Sequence, residues 1–245
     1  MEIFTQEYQI QAIHLDAKGL LKPSVLLHFV QEAAGGHCKL LQLDWDTLAK
    51  QHLFWAVIRH RLEVCRLPRE GETIRVDTWP MPTTRSAFPR AAAGYDSEGN
   101  LVFRCTSLWV LMDTETRQMV LPGKSGIDLE GLVFGNELPA PGSLQPREDE
   151  EAAVRQVWYS ELDRNGHMNN TRYLDWALDL LPASFHREHQ LRNATLCYLA
   201  EILENDRIRL VKSNPQEGIF QVDAHRLQTD VCEKSQRVFS VQLEF

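Results

Sequence analysis

The segment DRNGHMNN, residues 163–170, concentrates side chains that can take part in acid–base chemistry. Asp163, Asn165 and His167 stand at every second position, so in an extended segment their side chains project to one side. A carboxylate, a carboxamide and an imidazole at one point can exchange protons and donate to a developing negative charge. The alternative interpretation is a polar turn whose acid and amide groups only cap the helix that follows.

A helix is predicted over the apolar pattern that begins at Thr171 and ends near Leu181. Asn169 or Asn170 is the expected N-cap, because a carboxamide oxygen accepts well from the first backbone N–H groups of a helix. N–H groups at a helix start lack partners within the helix and attract negative charge. The polar side chains and the helix start are therefore expected to act at one place.

The chain repeats itself, which indicates what positions these groups. IHLDAKGLLKPSVLLHFVQE (13–32) aligns without gaps with SELDRNGHMNNTRYLDWALD (160–179), so that Asp16 and Gly19 match Asp163 and Gly166. Further on, RLEVCRLPREGETIRV (61–76) aligns with TLCYLAEILENDRIRL (195–210). Each copy is predicted to hold an N-terminal strand, one long helix and several further antiparallel strands, which is an α+β layout.

The predicted helix of the first copy begins at Pro23, and Gly35 and Gly36 either allow close packing there or end it early. Alternating patterns predict the strands. In the first copy they cover 54–64, 72–80, 90–113 with a turn at 97–100, and 116–122, and in the second 190–202, 206–214, 219–229 and 235–245.

The two copies differ at the polar segment itself. Where the second copy has Asn165 and His167, the first has Lys18 and Leu20. A cap that the fold requires would be expected in both copies, so the difference favours chemistry in the second.

Between the copies, GNELPAPGSLQPREDEE holds three prolines and a run of charges, which predicts an exposed linker. The predicted domains are 1–134 and 152–245, joined by a linker at 135–151.

These motifs resemble those of the plant and bacterial acyl-acyl carrier protein thioesterases, which carry two hotdog repeats in one chain. The family motif DxNxHVNNxxY is matched by Asp163, Asn165, His167, Asn169, Asn170 and Tyr173, with Met168 in place of valine and Trp176 following. Two further signatures are similar, TSLWVLMDTETRQMVLP (106–122) and LFWAVIRHRLEVCRLPREGETIRVDTWP (53–80). The resemblance implies tandem hotdog repeats, each a long helix on an antiparallel sheet, forming a pseudo-dimer within one chain.

The same resemblance implies hydrolysis of fatty acyl-acyl carrier protein (acyl-ACP), which ends fatty acid synthesis, with the acyl chain held by the first repeat. It carries over Asp163, Asn165 and His167 as catalytic residues, and Glu201 of YLAEIL as the catalytic glutamate. Plant members often have cysteine after that glutamate, whereas Ile202 stands here, so a papain-like thiol mechanism is not supported. Cys197, four residues earlier, is expected to share the strand face of Glu201 as a pocket-lining thiol.

A mechanism follows as a hypothesis. Asn165 and the helix amides near Asn170 polarise the thioester carbonyl, His167 contacts substrate or orients water, and Asp163 holds Asn165 or His167 in place. Glu201 deprotonates water, or attacks directly to form an anhydride. Because its neighbours are apolar, Glu201 is expected to be buried on a strand with a raised pKa.

Composition narrows the other possibilities. The net charge of −8 argues against nucleic acid as a partner, and no apolar run is long enough to span a membrane, so a cytoplasmic location is expected. The five cysteines are widely spaced and are interpreted as buried hydrophobes, and the HREH segment (186–189) as a surface loop, so neither a metal nor a cofactor is predicted. The five cysteines are Cys38, Cys65, Cys105, Cys197 and Cys232.

The implied partner is acyl carrier protein with its phosphopantetheine-linked acyl chain. Because carrier proteins are acidic, an acidic enzyme must bind one through a local basic patch. The candidates are Arg59, His60, Arg61, Arg66 and Arg69, with Arg85 and Arg90, although from composition alone a solvated strand face is the favoured explanation. The alternatives are an acyl-CoA hotdog thioesterase, a non-catalytic hotdog that binds acyl thioesters, and a hotdog dehydratase. Either a monomer or a homodimer is compatible with two fused repeats.

Overall fold

The structure is a computed structural model that describes residues 2–147, 151–227 and 236–245, with the backbone alone for residues 151 and 152. The chain divides into two compact units, residues 1–141 (unit 1) and residues 142–245 (unit 2). The division falls inside the predicted linker. Among the described residues, no helix is both long and apolar enough to cross a membrane.

Unit 1 is built on a long helix, α1 (Pro23–Leu40), which begins where the sequence predicts. Pro23 suits the first turn because its fixed φ is helical and an N–H is not needed there. A short helix, α2 (Trp45–Ala49), follows, capped by the Asp44 carboxylate. The strands are β1 (Phe4–Gln9), β2 (Leu53–Val64), β3 (Thr73–Pro80), β4 (Phe88–Tyr95), β5 (Leu101–Asp113) and β6 (Met119–Val120).

The strands of unit 1 form an antiparallel sheet in the order β1-β3-β4-β5-β2, and β6 pairs with the end of β5. Helix α1 lies on this sheet and buries Leu26, Leu27, Phe29, Val30, Ala33 and Ala34. These positions recur with the three- and four-residue spacing of one helix face, and full burial of each large side chain contributes about 1.5–3 kcal/mol. The Tyr8 ring stacks on Phe29 at 4.2 Å between centroids.

Helix α1 continues through both glycines, so they do not end it. A Cβ atom at Gly36 would lie 2.7 Å from Phe4 Cζ on β1, whereas a Cβ atom at Gly35 would meet nothing within 4 Å. Of the two interpretations of this pair, close packing is therefore correct for Gly36.

Unit 2 repeats this plan with shorter helices. Its helices are α3 (Arg172–Leu178) and α4 (Ala183–Glu188), and its strands are β7 (Glu151–Gln156), β8 (Asn193–Tyr198), β9 (Arg207–Gln216), β10 (Ile219–Arg226) and β11 (Gln236–Glu244). The expectation of one long helix is wrong for this unit. Pro182 has no N–H to donate and disfavours helical geometry in the residue before it, so the helix stops and a second one starts.

The sheet of unit 2 has the order β7-β9-β10-β11-β8. Counting strands from the start of each unit, both sheets follow the order first, third, fourth, fifth, second. A 3-10 helix at Ala12–His14 in unit 1 recurs at Tyr159–Glu161 in unit 2, at the spacing of the sequence repeat. The internal duplication and the α+β layout are confirmed.

The described part of the predicted linker is mostly exposed, but single residues in it bind the sheet of their own unit. In unit 1, Leu138 is buried and its carbonyl accepts from Thr106 Oγ1 at 2.8 Å. In unit 2, the buried Asp223 carboxylate accepts from the Arg147 amide at 3.0 Å, and Arg237 donates to the Leu144 carbonyl at 3.2 Å. Each end of the segment is thus bound to the sheet of its own unit; residues 148–150 lie outside the described part.

Candidate active site

The segment 163–168 is a tight turn in unit 2, and the predicted extended conformation is wrong. The Asp163 amide donates to the His167 carbonyl at 2.7 Å, and the Gly166 amide donates to the Asp163 carbonyl at 3.1 Å. Gly166 has a φ of 77°, a left-handed conformation that residues with a Cβ rarely adopt. Leu162 and Met168 pair across the base of the turn. The alternation that would place three side chains on one face is therefore absent.

The Asp163 carboxylate holds the backbone of this turn. Its Oδ1 atom accepts from the backbone N–H groups of Asn165 at 2.7 Å and His167 at 3.2 Å. Its Oδ2 atom accepts from Asn165 Nδ2 at 3.5 Å, the long limit of a hydrogen bond. Asp163 thus contacts Asn165 and His167 mainly at their backbone N–H groups, and not at their side chains as the hypothesis requires.

His167 and Glu201 lie next to each other, although 34 residues separate them in the sequence. His167 Nε2 is 3.4 Å from Glu201 Oε2, with 21% of the His167 side chain and 45% of the Glu201 side chain exposed. Backbone pairing between His167 and Leu203, and a bond from the Met168 amide to the Ile202 carbonyl at 2.8 Å, join the two segments. An imidazole and a carboxylate therefore share one partly exposed location.

Glu201 does not lie on a strand, and the expected apolar burial is absent. Strand β8 ends at Tyr198, after which the amides of Leu199 and Ala200 both donate to the Val238 carbonyl, so the regular ladder stops. Leu199 and Leu203 are 46% and 49% exposed. Because the chain leaves the sheet here, Glu201 faces a more polar environment than its neighbours in sequence suggest.

The start of α3 differs from the prediction in its cap. Thr171 occupies the N-cap position, and Asn169 Oδ1 accepts from the backbone amide and hydroxyl of Thr171 at 3.0 and 2.8 Å. The Arg172 amide donates to the Asn169 carbonyl at 2.9 Å. The amides of Thr171 and Arg172 are therefore already engaged, and neither is free to donate to an oxyanion.

Asn170 and Tyr173 of the motif serve packing and backbone contacts. The Asn170 carbonyl accepts from the Tyr198 hydroxyl at 3.1 Å, while its Oδ1 atom is buried without a hydrogen-bond partner among the described residues. The Tyr173 ring contacts Tyr198 and Phe239 edge to face, and burial raises the pKa of its hydroxyl well above the usual range. These residues fix where α3 rests on the sheet.

Two further contacts hold the surroundings of the site. Trp176 Nε1 donates to Glu161 Oε1 at 2.7 Å and ties α3 to the preceding 3-10 helix. Arg226, at the end of β10, donates from Nη2 to the Glu201 carbonyl and from Nε to Asp206 Oδ2 at 2.9 Å. Trp176 follows the motif, whereas Arg226 is far from it in the sequence and is brought to it only by the fold.

The expected thiol beside Glu201 lies elsewhere. Cys197 is buried on β8 beneath the linker, 3.6 Å from the Gly142 carbonyl, and it shares no strand face with Glu201. Cys105 is also buried, but Cys65 is exposed, so the description of every cysteine as a buried hydrophobe is wrong. Cys232 lies outside the described residues.

The HREH segment lies at the surface as predicted, but it is mostly helical and not a loop, since α4 ends at Glu188. His186 Nε2 donates to the Leu178 carbonyl at 2.9 Å and His189 stacks on Phe185. Within residues 2–147, 151–227 and 236–245, no three His, Cys, Asp or Glu side chains are grouped so as to hold a metal ion.

The structure separates the basic residues proposed for carrier-protein docking. Arg90 and His60 are buried, with 6% and 1% of their surfaces exposed. Arg90 donates to His37 Nδ1 and to Thr78 Oγ1, each at 3.2 Å, beneath α1. Arg66 pairs with Glu72 and Asp96. These three residues do not form a free basic surface, whereas Arg69 and Arg85 are exposed.

Two family models of known proteins together match most of the chain. The family model described as the acyl-ACP thioesterase N-terminal domain matches residues 1–121, and the one described as the C-terminal domain matches residues 144–242. A chloroplastic palmitoyl-acyl carrier protein thioesterase of Gossypium hirsutum is 27% identical over 214 residues, 81% of this chain and 52% of the relative. A chloroplastic oleoyl-acyl carrier protein thioesterase 1 of Arabidopsis thaliana is 24% identical over 234 residues, 87% of this chain and 64% of the relative.

Solved structures show the same fold. The crystal structure of an acyl-ACP thioesterase from Bacteroides thetaiotaomicron superposes with a TM-score of 0.89 at 24% identity, covering 99% of this chain and 97% of that one. The 12:0-ACP thioesterase from Umbellularia californica superposes with a TM-score of 0.82 at 23% identity, covering 99% and 96%. The predicted fold of tandem hotdog repeats is confirmed. The chain spans about half the length of the first curated relatives it matches.

Proposed function

The chain belongs to the acyl-ACP thioesterase family, and from that membership we propose that it hydrolyses the thioester of fatty acyl-ACP, releasing free fatty acid and ending fatty acid synthesis. The observation that carries the proposal is the His167–Glu201 pair, 3.4 Å apart, at the turn that holds the family motif. A carboxylate beside an imidazole at a partly exposed position can activate water. A protein that only bound acyl thioesters would have no need of this pair.

In the proposed reaction Glu201 is the general base. It takes a proton from a water molecule whose oxygen attacks the thioester carbonyl carbon, and His167 orients the Glu201 carboxylate and the water. The Asn165 carboxamide donates to the oxyanion of the tetrahedral intermediate. When the intermediate collapses, the C–S bond breaks and the thiolate leaves; because the pKa of a thiol is roughly 8.5, it departs with little help from an acid.

The alternative route passes through an anhydride. In it Glu201 attacks the carbonyl carbon, the thiolate leaves, and water then cleaves the acyl–Glu201 anhydride. Label in Glu201 after a single turnover in H₂¹⁸O identifies the anhydride route. Direct attack by water leaves Glu201 without label, whereas water attack on the Glu201 carbonyl of an anhydride places ¹⁸O in that carboxylate, which mass spectrometry of the peptide detects.

Thiol release from acyl-ACP substrates of increasing chain length tests the proposal. We expect the wild type to release thiol, and Glu201→Ala and His167→Ala to lower kcat by about 100-fold or more. Glu217→Ala, an exposed glutamate in the turn between β9 and β10, and His28→Ala, a half-exposed histidine on α1, are the matched controls. Substrate binding without thiol release would favour a binding protein, and unchanged rates in both site variants would exclude this site.

The carrier is the second element of the proposal. We propose that acyl carrier protein, rather than CoA, delivers the acyl chain, and that the exposed Arg69 and Arg85 contribute to its docking. Reversing both charges should raise KM for acyl-ACP at least several-fold at low salt and leave KM for the same acyl group on CoA unchanged. Equal turnover of both substrates by the wild type would favour the acyl-CoA thioesterase instead. A cytoplasmic location stays a prediction.

A further inference from the structure

The side chain of Arg226 joins three segments of unit 2 near Glu201. Its Nη2 atom donates to the Glu201 carbonyl, its Nε atom to Asp206 Oδ2 at 2.9 Å, and its Nη1 atom to Gln236 Oε1 at 2.9 Å. Because a guanidinium is planar and its donors are fixed relative to each other, these bonds define the position of each acceptor. Arg226 therefore ties the loop after β8 to the end of β10 and the start of β11.

Asp206 extends the same contact toward His167. Its Oδ2 atom also accepts from the Leu203 amide at 3.0 Å, and the Asp206 amide donates to the Leu203 carbonyl at 3.2 Å, which closes the turn 203–206. Leu203 in turn pairs with His167 through the backbone. One guanidinium thus restrains the backbone at Glu201 directly, and the strand partner of His167 through Asp206.

Unit 1 holds a comparable arginine–aspartate pair, in which the arginine and the aspartate have exchanged places. There the arginine, Arg66, comes from the loop between the second and third strands, and its carboxylate partner Asp96 follows the fourth strand, at 2.9 Å. In unit 2 the acid Asp206 comes from the corresponding loop and Arg226 ends the fourth strand. A link between loop and strand end is common to both units, whereas the donor to the glutamate carbonyl belongs to the unit with the His167–Glu201 pair.

We propose that Arg226 is a positioning residue for the reaction, which rests on the proposed function of Glu201 as the general base. The Glu201 side chain is nearly half exposed, and its carboxylate approaches His167 at 3.4 Å. Restraint of its backbone is what limits the positions that the carboxylate can reach. A displacement of about 1 Å in a reacting group can cost about 100-fold in rate.

Arg226→Met, which removes every donor and keeps the aliphatic stem, is the test variant, and Arg66→Met is the matched control in unit 1. We expect Arg226→Met to lower kcat for acyl-ACP by about 10- to 100-fold and to change KM by less than about 3-fold. Arg226→Lys keeps the charge opposite Asp206 and should recover part of kcat. We expect Arg226→Met and Arg66→Met to lower the unfolding temperature by similar amounts. Arg66→Met should leave kcat within about 2-fold of the wild-type value.

A double-mutant cycle with Glu201→Ala separates positioning from general stability. Measured in single turnovers with enzyme in excess, Arg226→Met should change the residual rate of Glu201→Ala by less than about 2-fold. The same loss in both backgrounds, or an equal loss of kcat in Arg66→Met, would overturn the positioning role. If Arg226→Met does not fold, Arg226→Lys enters the same cycle. Wild-type kcat in Glu201→Ala would instead refute the proposed function itself.

Discussion

Asp163 and Asp16 perform the same backbone task in the two repeats. Asp16 Oδ1 accepts from the amides of Lys18 at 2.8 Å and Leu20 at 3.1 Å, as Asp163 does from the amides at the matching positions. Gly19 and Gly166 both have positive φ in these turns. The aspartate is therefore part of the architecture in each unit, and chemistry in unit 2 depends on what the turn carries.

This equivalence gives a matched pair of variants. Asp16→Ala and Asp163→Ala should each lower the free energy of unfolding by about 1–2 kcal/mol, because each removes the acceptor of two amides in a tight turn. Asp163→Ala should in addition lower kcat at least 10-fold, since its turn holds His167. Denaturant unfolding and thiol-release kinetics on both variants measure these effects. An equal loss of kcat in Asp16→Ala would show that the effect is global.

At the scale of elements, the two adjacent glycines of α1 have opposite roles. Gly36 passes the Phe4 ring of β1 too closely for a Cβ atom, whereas Gly35 is exposed with open space around it. Gly35→Ala should raise the free energy of unfolding by about 0.5–1 kcal/mol, because alanine favours the helix. Gly36→Ala should lose this gain, since the Phe4 ring must move. Thermal unfolding of the pair checks this, and equal stabilisation by both would refute the packing role of Gly36.

The sheet of unit 2 holds the linker through a buried carboxylate. Asp223 is 1% exposed, and its oxygens accept from Ser240, Arg237, Gln221 and the Arg147 amide. Asp223→Ala leaves the Arg237 guanidinium without its carboxylate and should cost about 3–5 kcal/mol. Proteolysis within residues 142–147 should become faster under native conditions. Cleavage at the wild-type rate would show that the linker is held by other contacts.

At the scale of the whole molecule, two buried histidines of unit 1 link stability to pH. Burial lowers the pKa of His60 to about 4, and burial together with the Arg90 guanidinium lowers the pKa of His37 to about 4. In the unfolded chain both return to about 6.5. Between about pH 6.5 and 4 the unfolded chain therefore binds more protons than the folded chain, so acidification lowers the free energy of unfolding. Below about pH 4 both states are protonated at these two histidines, and they cause no further loss.

Replacing one of these groups tests the linkage. His60→Leu should reduce the loss of unfolding free energy between pH 7 and pH 4.5, because the unfolded variant has one fewer histidine to protonate. His28→Leu, at a half-exposed position, is the matched control for the loss of one histidine. Denaturant titrations at several pH values give both slopes. A wild-type slope in His60→Leu would show that His60 does not contribute.

The sequence by itself determined the features that depend on residues close together in the chain or on the internal repeat. The duplication, the start of α1 at Pro23 and most strand cores follow from periodicity, turn residues and the alignment of the two halves. The motif DxNxH identified the candidate site because its residue types are chemically distinctive. Such patterns are local, and the forces that they encode act between residues close in sequence.

The tertiary structure decided how those residues are arranged. The turn at Gly166 replaced the expected extended segment because hydrogen bonds across the turn outweigh alternation, and the end of β8 left Glu201 outside the strand. The adjacency of His167 and Glu201, and the bonds of Arg226 to the Glu201 loop, join residues far apart in the chain. Such contacts depend on strand order and register, which long-range packing sets and a local pattern does not contain.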